Sequence, residues 1–142
     1  MDLAALERLC VSRFPDSITR TRLMTNLVAV IDLLQRERMR GDIWIDGSFI
    51  TEKLNPDDVD LLLRVNVSEY RTMDAAQLNF LSWLSNNSLS GTHKCDSYVM
   101  LVDDAHPQGE YMQAYWLHQF GFSRAGQMKG LAVVRLPFVV VP

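Results

Sequence analysis

The hydrophobic pattern changes its period near residue 41, and this change is the strongest constraint on the fold. Before it, an apolar stripe at helical spacing predicts a long amphipathic helix. The stripe consists of Leu23, Leu27, Val30, Ile31 and Leu34. After it, residues 42–46 and 57–65 alternate with the period of a strand, on either side of the turn-rich stretch 51–56. A helix followed by two strands predicts a mixed α/β (α+β) architecture.

The residues at the ends of the long helix predict its limits. Asp16 or Ser17 can cap its start, and Gly41 is suited to a left-handed turn beyond its end. Before it, residues 3–11 have helical spacing until Phe14-Pro15 interrupts them. The first 41 residues are therefore predicted to be helical.

The second half of the chain predicts further elements of both kinds. Thr72 or Asp74 can start an amphipathic helix that Asn86-Asn87 and the Ser/Gly-rich stretch up to Gly91 terminate. A strand over 93–102, a helix over 110–120 and a strand over 131–141, broken at Pro137, complete the pattern. We expect a mixed central sheet of four to five strands with helices packed against it.

Length and composition indicate one folded domain. The 142 residues are too few for two ordinary domains, so we predict a single unit with N-terminal helices (1–41), a catalytic core (42–102) and a C-terminal aromatic tail and strand (103–142). The sequence contains no apolar run of membrane-spanning length and no signal-peptide pattern. Two widely separated cysteines suggest a reducing cytoplasm.

The formal net charge of −3 argues against a protein that coats nucleic acid by bulk electrostatics. Arginines nonetheless flank the long helix: Arg20 and Arg22 at its start, and Arg36, Arg38 and Arg40 at its end. The arginines at its end suit the helix dipole, whereas a nucleic-acid-binding accessory protein would gather the flanking arginines on one exposed face. Nucleic acid is a partner that the sequence permits but does not favour.

The stretch IDGSFITEKLNPDDVDLLL carries the clearest chemical pattern. Residues two apart on a strand project to the same side, so Asp58 and Asp60 would present neighbouring carboxylates to one or two hard cations. Gly47 and Ser48, in the turn before them, would bring backbone and hydroxyl donors close to phosphates. Lys53, between the two motifs, either meets a phosphate or is solvated.

A two-metal site for phosphoryl transfer needs a further carboxylate from an adjacent strand. Asp96 is the best candidate because it lies within the third predicted strand, where an isolated charge is costly without a partner. Asp103 and Asp104 are alternatives, but both fall in the loop that we expect after that strand.

These residues resemble a known family. Gly47-Ser48, nine further residues and then Asp58-Val59-Asp60 are similar to the signature of polymerase-beta-type nucleotidyltransferases. The phrase GSFITEKLNPDDVDLLL, the strand with Asp96 and the tail YWLHQFGFSRAGQMKG resemble small bacterial and phage nucleotidyltransferase-like proteins of uncharacterised function. The resemblance covers about residues 41–136 and implies a minimal nucleotidyltransferase fold.

The resemblance also implies roles for individual residues. Asp58, Asp60 and Asp96 would be catalytic and bind Mg²⁺ or Mn²⁺, and Gly47 and Ser48 would hold the phosphates of a nucleoside triphosphate. The tail residues that would contact the nucleotide or substrate are Trp116, Arg124 and Lys129.

The implied activity is transfer of a nucleoside monophosphate to an unknown acceptor, which is a protein, an RNA or a small molecule. The short chain leaves acceptor selection to a protein partner or a homo-oligomer, and a toxin-antitoxin or phage context would fit. The alternative is a catalytically inactive protein with the same fold that acts as an inhibitor, antitoxin or regulator. That alternative predicts carboxylates out of reach of one another or held by arginines such as Arg64 or Arg135.

Overall fold

The described residues form a four-stranded mixed sheet with helices packed against it. The computed structural model describes residues 2–103 and 131–136. The strands are β1 (Gly41–Asp46), β2 (Val59–Asn66), β3 (Cys95–Val102) and β4 (Ala132–Leu136). Their order across the sheet is β3-β2-β1-β4, with β1 antiparallel to β2 and β4, and β2 parallel to β3. The predicted mixed α+β fold class is confirmed.

Helices precede β1 and connect β2 to β3. They are α1 (Leu3–Glu7), which continues as a π-helical turn (Arg8–Ser12), α2 (Arg20–Arg36), α3 (Val67–Tyr70), α4 (Ala75–Ser85) and α5 (Ser90–His93). A 3₁₀ turn (Ser48–Ile50) follows β1. Within the described ranges, no helix has the length and apolar character needed to cross a membrane.

The sheet separates two apolar clusters, and the alternation in the strands decides which residue joins each. The whole predicted stripe of α2 is buried in the larger cluster, together with Ile43, Ile45 and Leu61 of the sheet. Trp44 and Leu62 point to the opposite face and pack in a smaller cluster. The helices therefore cover one face, and the second face carries the candidate site.

The limits of α2 differ in part from the prediction. Its first N–H, on Arg20, donates to Ser17 Oγ at 3.1 Å, so Ser17 satisfies this end although the helix starts three residues later. At the other end, Arg38 adopts the left-handed conformation with φ 56°, and the prediction for Gly41 was wrong. Gly41 instead begins β1, where an added Cβ would lie 2.2 Å from the carbonyl oxygen of Arg64.

The fourth helix has the predicted cap. Asp74 accepts a hydrogen bond from the Gln77 N–H at 2.8 Å, and the Gln77 side chain accepts from the Asp74 N–H at 3.0 Å. Asn86 and Asn87, the latter at φ 60°, end this helix as predicted. The helix predicted over 110–120 lies outside the described residues, as does the last strand beyond Leu136.

Candidate active site

Adjacent strands bring aspartates to one edge of the sheet. Asp60, at the start of β2, is in register with Asp46 at the end of β1 and with Asp96 at the start of β3. By strand alternation, all three side chains lie on the face of Trp44 and Leu62, opposite the helices. Because neighbouring strands are about 4.8 Å apart, this register forms a row of carboxylates.

Asp58 immediately precedes β2 and joins this row. One carboxylate oxygen from each of Asp58, Asp60 and Asp96 lies within 4.8 Å of the others, and all three residues are half-buried. Magnesium ligands lie at about 2.1 Å from the ion, so opposite ligands are about 4.2 Å apart. Small adjustments of these side chains would let the three oxygens hold one such cation, and the donor set suits Mg²⁺ or Mn²⁺.

The fourth carboxylate, on Asp46, has no role in the sequence interpretation. It is buried, with 3% of its surface exposed, and it is in register with Asp60. Its position directly before Gly47-Ser48 could have indicated a place in the site. The sequence does not specify, however, which residue of β2 pairs with Asp46 across the long β1–β2 connection. In the structure, Asp46 lies directly beside the start of β2, between the Gly-Ser turn and the strand that contains Asp60.

The Gly-Ser turn lies against the carboxylate of Asp60. Gly47 has φ 86°, and an added Cβ would be 2.9 Å from Asp60 Oδ2. Only glycine adopts this conformation readily and leaves room for the Asp60 carboxylate. Ser48 begins the 3₁₀ turn immediately beyond. The turn therefore offers its backbone beside the acidic cluster.

Two lysines favour the ionised form of Asp58. Burial is the main factor that raises the pKa of its carboxyl, and the charges of Asp96 and Asp57 raise it further. Lys53 and Lys94 act in the opposite direction. Lys53 was a predicted site residue, whereas Lys94 was missed because it lies in the turn before β3, where sequence alone does not indicate its distance to Asp58.

Asn87 positions the third carboxylate. Its Nδ2 donates to Asp96 Oδ1 at 3.4 Å, and its Oδ1 accepts from the N–H of Ser97 at 2.8 Å. Ser97 Oγ in turn donates to the carbonyl of Leu84 at 2.7 Å. The asparagine that ends α4 thus links this helix to the start of β3, a role that the sequence interpretation did not include.

The carboxylates also affect neighbouring groups. Burial, together with the charges of Asp96, Asp58 and Asp60, raises the pKa of the Cys95 thiol to about 12. Burial and the same three charges raise the pKa of Tyr98. Cys95 is therefore a protonated thiol at neutral pH and is unsuited to act as a thiolate ligand or nucleophile beside this site.

The arginines named in the inactive alternative lie elsewhere. Arg64 Nη1 and Arg135 Nε are 3.7 and 3.6 Å from the carboxylate of Asp42. Asp42 is in register with both of them. Arg64 lies four residues from Asp60 along β2, about 13 Å. An apolar row containing Trp44 separates these arginines from the acidic edge.

The other predicted site residues are not part of this cluster. Asp103 follows the far end of β3, seven residues from Asp96 and so about 23 Å along the strand, which excludes it as an alternative third acid. Asp104, Trp116, Arg124 and Lys129 lie outside the described residues.

A family model described as a family of unknown function, DUF6932, matches residues 1–135. The chain belongs to this family. No curated protein and no solved structure matches the chain. The region shared with DUF6932 includes every residue of the candidate site described above.

In this DUF6932 protein, one further residue occupies a position that the sequence did not predict. Arg20 was one of the arginines flanking α2 that a nucleic-acid-binding protein would gather on one exposed face, but its side chain is fully buried. It binds the loop that follows Gly47. An exposed nucleic-acid surface built on Arg20 is therefore excluded.

Proposed function

We propose that this protein is a cytoplasmic, metal-dependent nucleotidyltransferase of the polymerase-beta type. It would transfer a nucleoside monophosphate from a nucleoside triphosphate to an acceptor and release pyrophosphate. The observation that carries this proposal is the convergence of Asp58, Asp60 and Asp96 beside the Gly47-Ser48 turn. Two buried free cysteines, Cys10 and Cys95, are compatible with a reducing compartment.

The carboxylates of Asp58, Asp60 and Asp96 would hold Mg²⁺ or Mn²⁺. When bound, such cations neutralise the triphosphate, lower the pKa of the acceptor hydroxyl and align it for attack. The acceptor oxygen forms a bond to the α-phosphorus, the bond to the bridging α–β oxygen breaks, and the acceptor proton passes to solvent. These carboxylates would contribute by holding the cations and not by accepting the proton.

Donors around the cluster would bind the phosphates. The absence of a side chain at Gly47 lets a phosphate approach the backbone, and Ser48 has both an N–H and a hydroxyl to donate. Lys53 and Lys94 would offset the charge that a triphosphate adds near Asp58. Arg124 and Lys129, outside the described residues, remain proposed nucleotide contacts.

The positions of two arginines favour this enzyme over its inactive alternative. That alternative expects arginines such as Arg64 or Arg135 to hold the site carboxylates, but both contact Asp42 instead. The acceptor is the unassigned part of the reaction. Its recognition would fall to a protein partner or a second copy of this chain, in keeping with the toxin-antitoxin or phage context that the resemblance implies.

Calorimetric titration tests the proposal directly. ATP, GTP, CTP and UTP, each with Mg²⁺, are titrated into the wild type and into the Asp58→Ala/Asp60→Ala variant. The matched control is Asp57→Asn, which removes an exposed carboxylate adjacent to the cluster. We expect saturable heat with at least one triphosphate in the wild type and the control, and none in the double variant.

Two results would refute the proposal. Absence of heat with all four triphosphates in the wild type would remove the nucleotide from the reaction. Equal binding by the double variant would place the nucleotide away from the carboxylates, and the catalytic arrangement would then be wrong. In either case the inactive binding protein would become the better hypothesis.

A further inference from the structure

A buried arginine holds the loop between the two halves of the candidate site. Arg20 has no exposed surface, and its guanidinium donates to the carbonyls of residues in the loop after Gly47. The distances are 2.7 Å to Phe49, 2.7 Å to Thr51, 2.6 Å to Lys53 and 3.4 Å to Ser48. The Nε–H donates to the Lys53 carbonyl as well, at 3.2 Å.

The same guanidinium fixes the loop to the N-terminal helical segment. Arg20 Nη1 also donates to the Cys10 carbonyl at 2.8 Å. Its Cζ lies 3.7 Å from the ring centroid of Phe14 and 5.6 Å from that of Phe49. A planar cation that contacts two aromatic rings has few alternative orientations. The loop is therefore held against a packed part of the structure.

The chemistry of these contacts requires arginine. A lysine ammonium is a compact charge that cannot reach carbonyls spread over this stretch of backbone, whereas a guanidinium presents donors in a rigid planar fork. A buried charge is tolerated only when it is well hydrogen-bonded. Because this charge interacts with carbonyl groups along the loop, a change in the loop conformation would leave it unsatisfied.

The loop held in this way contains the proposed phosphate donors. It begins next to Gly47, whose Cα faces the Asp60 carboxylate, and it ends at Lys53, whose charge acts on Asp58. Asp60 and Asp96 lie in β2 and β3. Asp58 is next to Val59, whose N–H donates to the Lys94 carbonyl at 2.9 Å, so the edge of the sheet holds the carboxylates more directly than the loop does. Cation binding and phosphate binding therefore depend on different parts of the structure.

We propose that Arg20 is a positioning residue for triphosphate recognition. Through the backbone carbonyls of residues 48–53, it fixes the Gly47-Ser48 turn and Lys53 relative to Asp58 and Asp60. Arg20 itself contacts no substrate. This inference rests on the proposed function, since it concerns the phosphate side of that site.

The test compares Arg20→Lys and Arg20→Gln with Arg22→Lys, an exposed arginine of the same helical turn. Mn²⁺ alone and Mg²⁺-ATP are titrated separately by calorimetry. We expect each Arg20 variant to lose about tenfold or more in Mg²⁺-ATP affinity. We expect Mn²⁺ affinity to change less than about twofold, since the carboxylates are held by the sheet. The Arg22 variant is expected to match the wild type in both titrations.

Hydrogen exchange on the wild type provides a second measurement that needs no variant. The N–H groups of Ile50 and Thr51 donate within the loop, at 3.1 Å to Gly47 O and 3.1 Å to Ser48 O. If Arg20 fixes this loop, these amides exchange as slowly as those of β2. Rapid exchange in the wild type would overturn the inference even if the Arg20 variants failed to fold.

The remaining outcomes separate this inference from the proposed function. If the wild type binds Mg²⁺-ATP and the Arg20 variants bind it equally well, the inference is wrong and the proposed function stands. If the Arg20 variants lose Mn²⁺ and Mg²⁺-ATP affinity together, Arg20 has a general structural role and the inference is again wrong. If the wild type binds no triphosphate, both fail.

Discussion

Removal of one charge from the acidic cluster should stabilise the protein without metal and make it insensitive to metal. Asp58, Asp60 and Asp96 have carboxylate oxygens within 4.8 Å of one another. At that distance, each pair of charges repels by about 1 kcal/mol in water and about 3.5 kcal/mol at an effective dielectric constant of 20. Asp58→Asn removes two such pairs. Because the side chains can relax apart, we expect a net gain of about 1–2 kcal/mol.

Thermal unfolding measures this gain. For 142 residues, the unfolding entropy is about 0.3 kcal/mol/K, so the gain corresponds to about 3–7 °C in Tm with EDTA present. Mn²⁺ at ten times its dissociation constant should stabilise the wild type by about 1.4 kcal/mol, or about 5 °C. The Asp58→Asn variant should gain little from Mn²⁺. The difference in Tm between the two proteins therefore shrinks or reverses when Mn²⁺ replaces EDTA.

The control and the refuting results follow from the same electrostatics. Asp57→Asn, which alters an exposed carboxylate, should change both melting temperatures by less than about 2 °C. Since burial and neighbouring carboxylates raise the pKa of Asp58 above 3.8, the advantage of the variant should appear only as the pH rises above that value. A lower Tm of Asp58→Asn in EDTA, or an undiminished response to Mn²⁺, would show that the cluster is not a cation site.

Three further changes test other parts of the structure. Gly47→Ala combines φ 86° with a Cβ placed 2.9 Å from a carboxylate oxygen. It should lower the free energy of unfolding by about 1–3 kcal/mol and abolish the rise in Tm with Mn²⁺. Gly91→Ala, which has open space around it, should have neither effect in the same thermal-unfolding experiments. Asn87→Gly keeps the left-handed backbone but removes the amide that holds Asp96. Calorimetry should show a Mn²⁺ affinity about tenfold lower than that of the wild type. An unchanged affinity would exclude this positioning role. The hydrogen bond from the Gln77 N–H, followed by the contact with Arg38, lowers the pKa of Asp74, so its charge stabilises the fold above pH 3.8 and that stability is lost as the pH falls through the lowered pKa. Asp74→Asn keeps the cap but should have a lower Tm than the wild type at pH 7 and no deficit in acid, and a deficit independent of pH would contradict the charge effect.

The sequence predicted those parts of the fold that depend on local periodicity. The stripe of α2 and the alternation of Ile43, Trp44 and Ile45 each follow from neighbours in the chain, and burial on one face enforces them. The cap at Asp74 was predictable for the same reason, because its partner lies three residues away. The structure confirms all of these.

Features that depend on contacts across the fold were not predictable. Arg20 has the spacing of a surface charge at a helix start, and its burial becomes evident only when carbonyls from the loop after β1 surround it. Arg38 adopts the left-handed conformation that glycine usually supplies, and the next residue, Met39, is buried in the core. Lys94 and Asp46 join the site through strand register, which single-sequence periodicity does not specify.

The distribution of charge across the second sheet face connects the fold to the proposed chemistry. The arginines at one end, held at Asp42, and the acids around Asp60 at the other are separated along β2 by about 13 Å, more than the Debye length of about 8 Å at physiological ionic strength. Trp44 and Leu62 fill the interval with apolar side chains. The arginines therefore do little to screen the repulsion among the carboxylates, which Lys53, Lys94 and a bound cation can relieve. A sheet that held these carboxylates for stability alone would gain from pairing them with the arginines of the same face. Their separation from Arg64 and Arg135 fits the proposed cation site, and the Tm comparison between Asp58→Asn and the wild type measures the stability lost by holding these carboxylates close together.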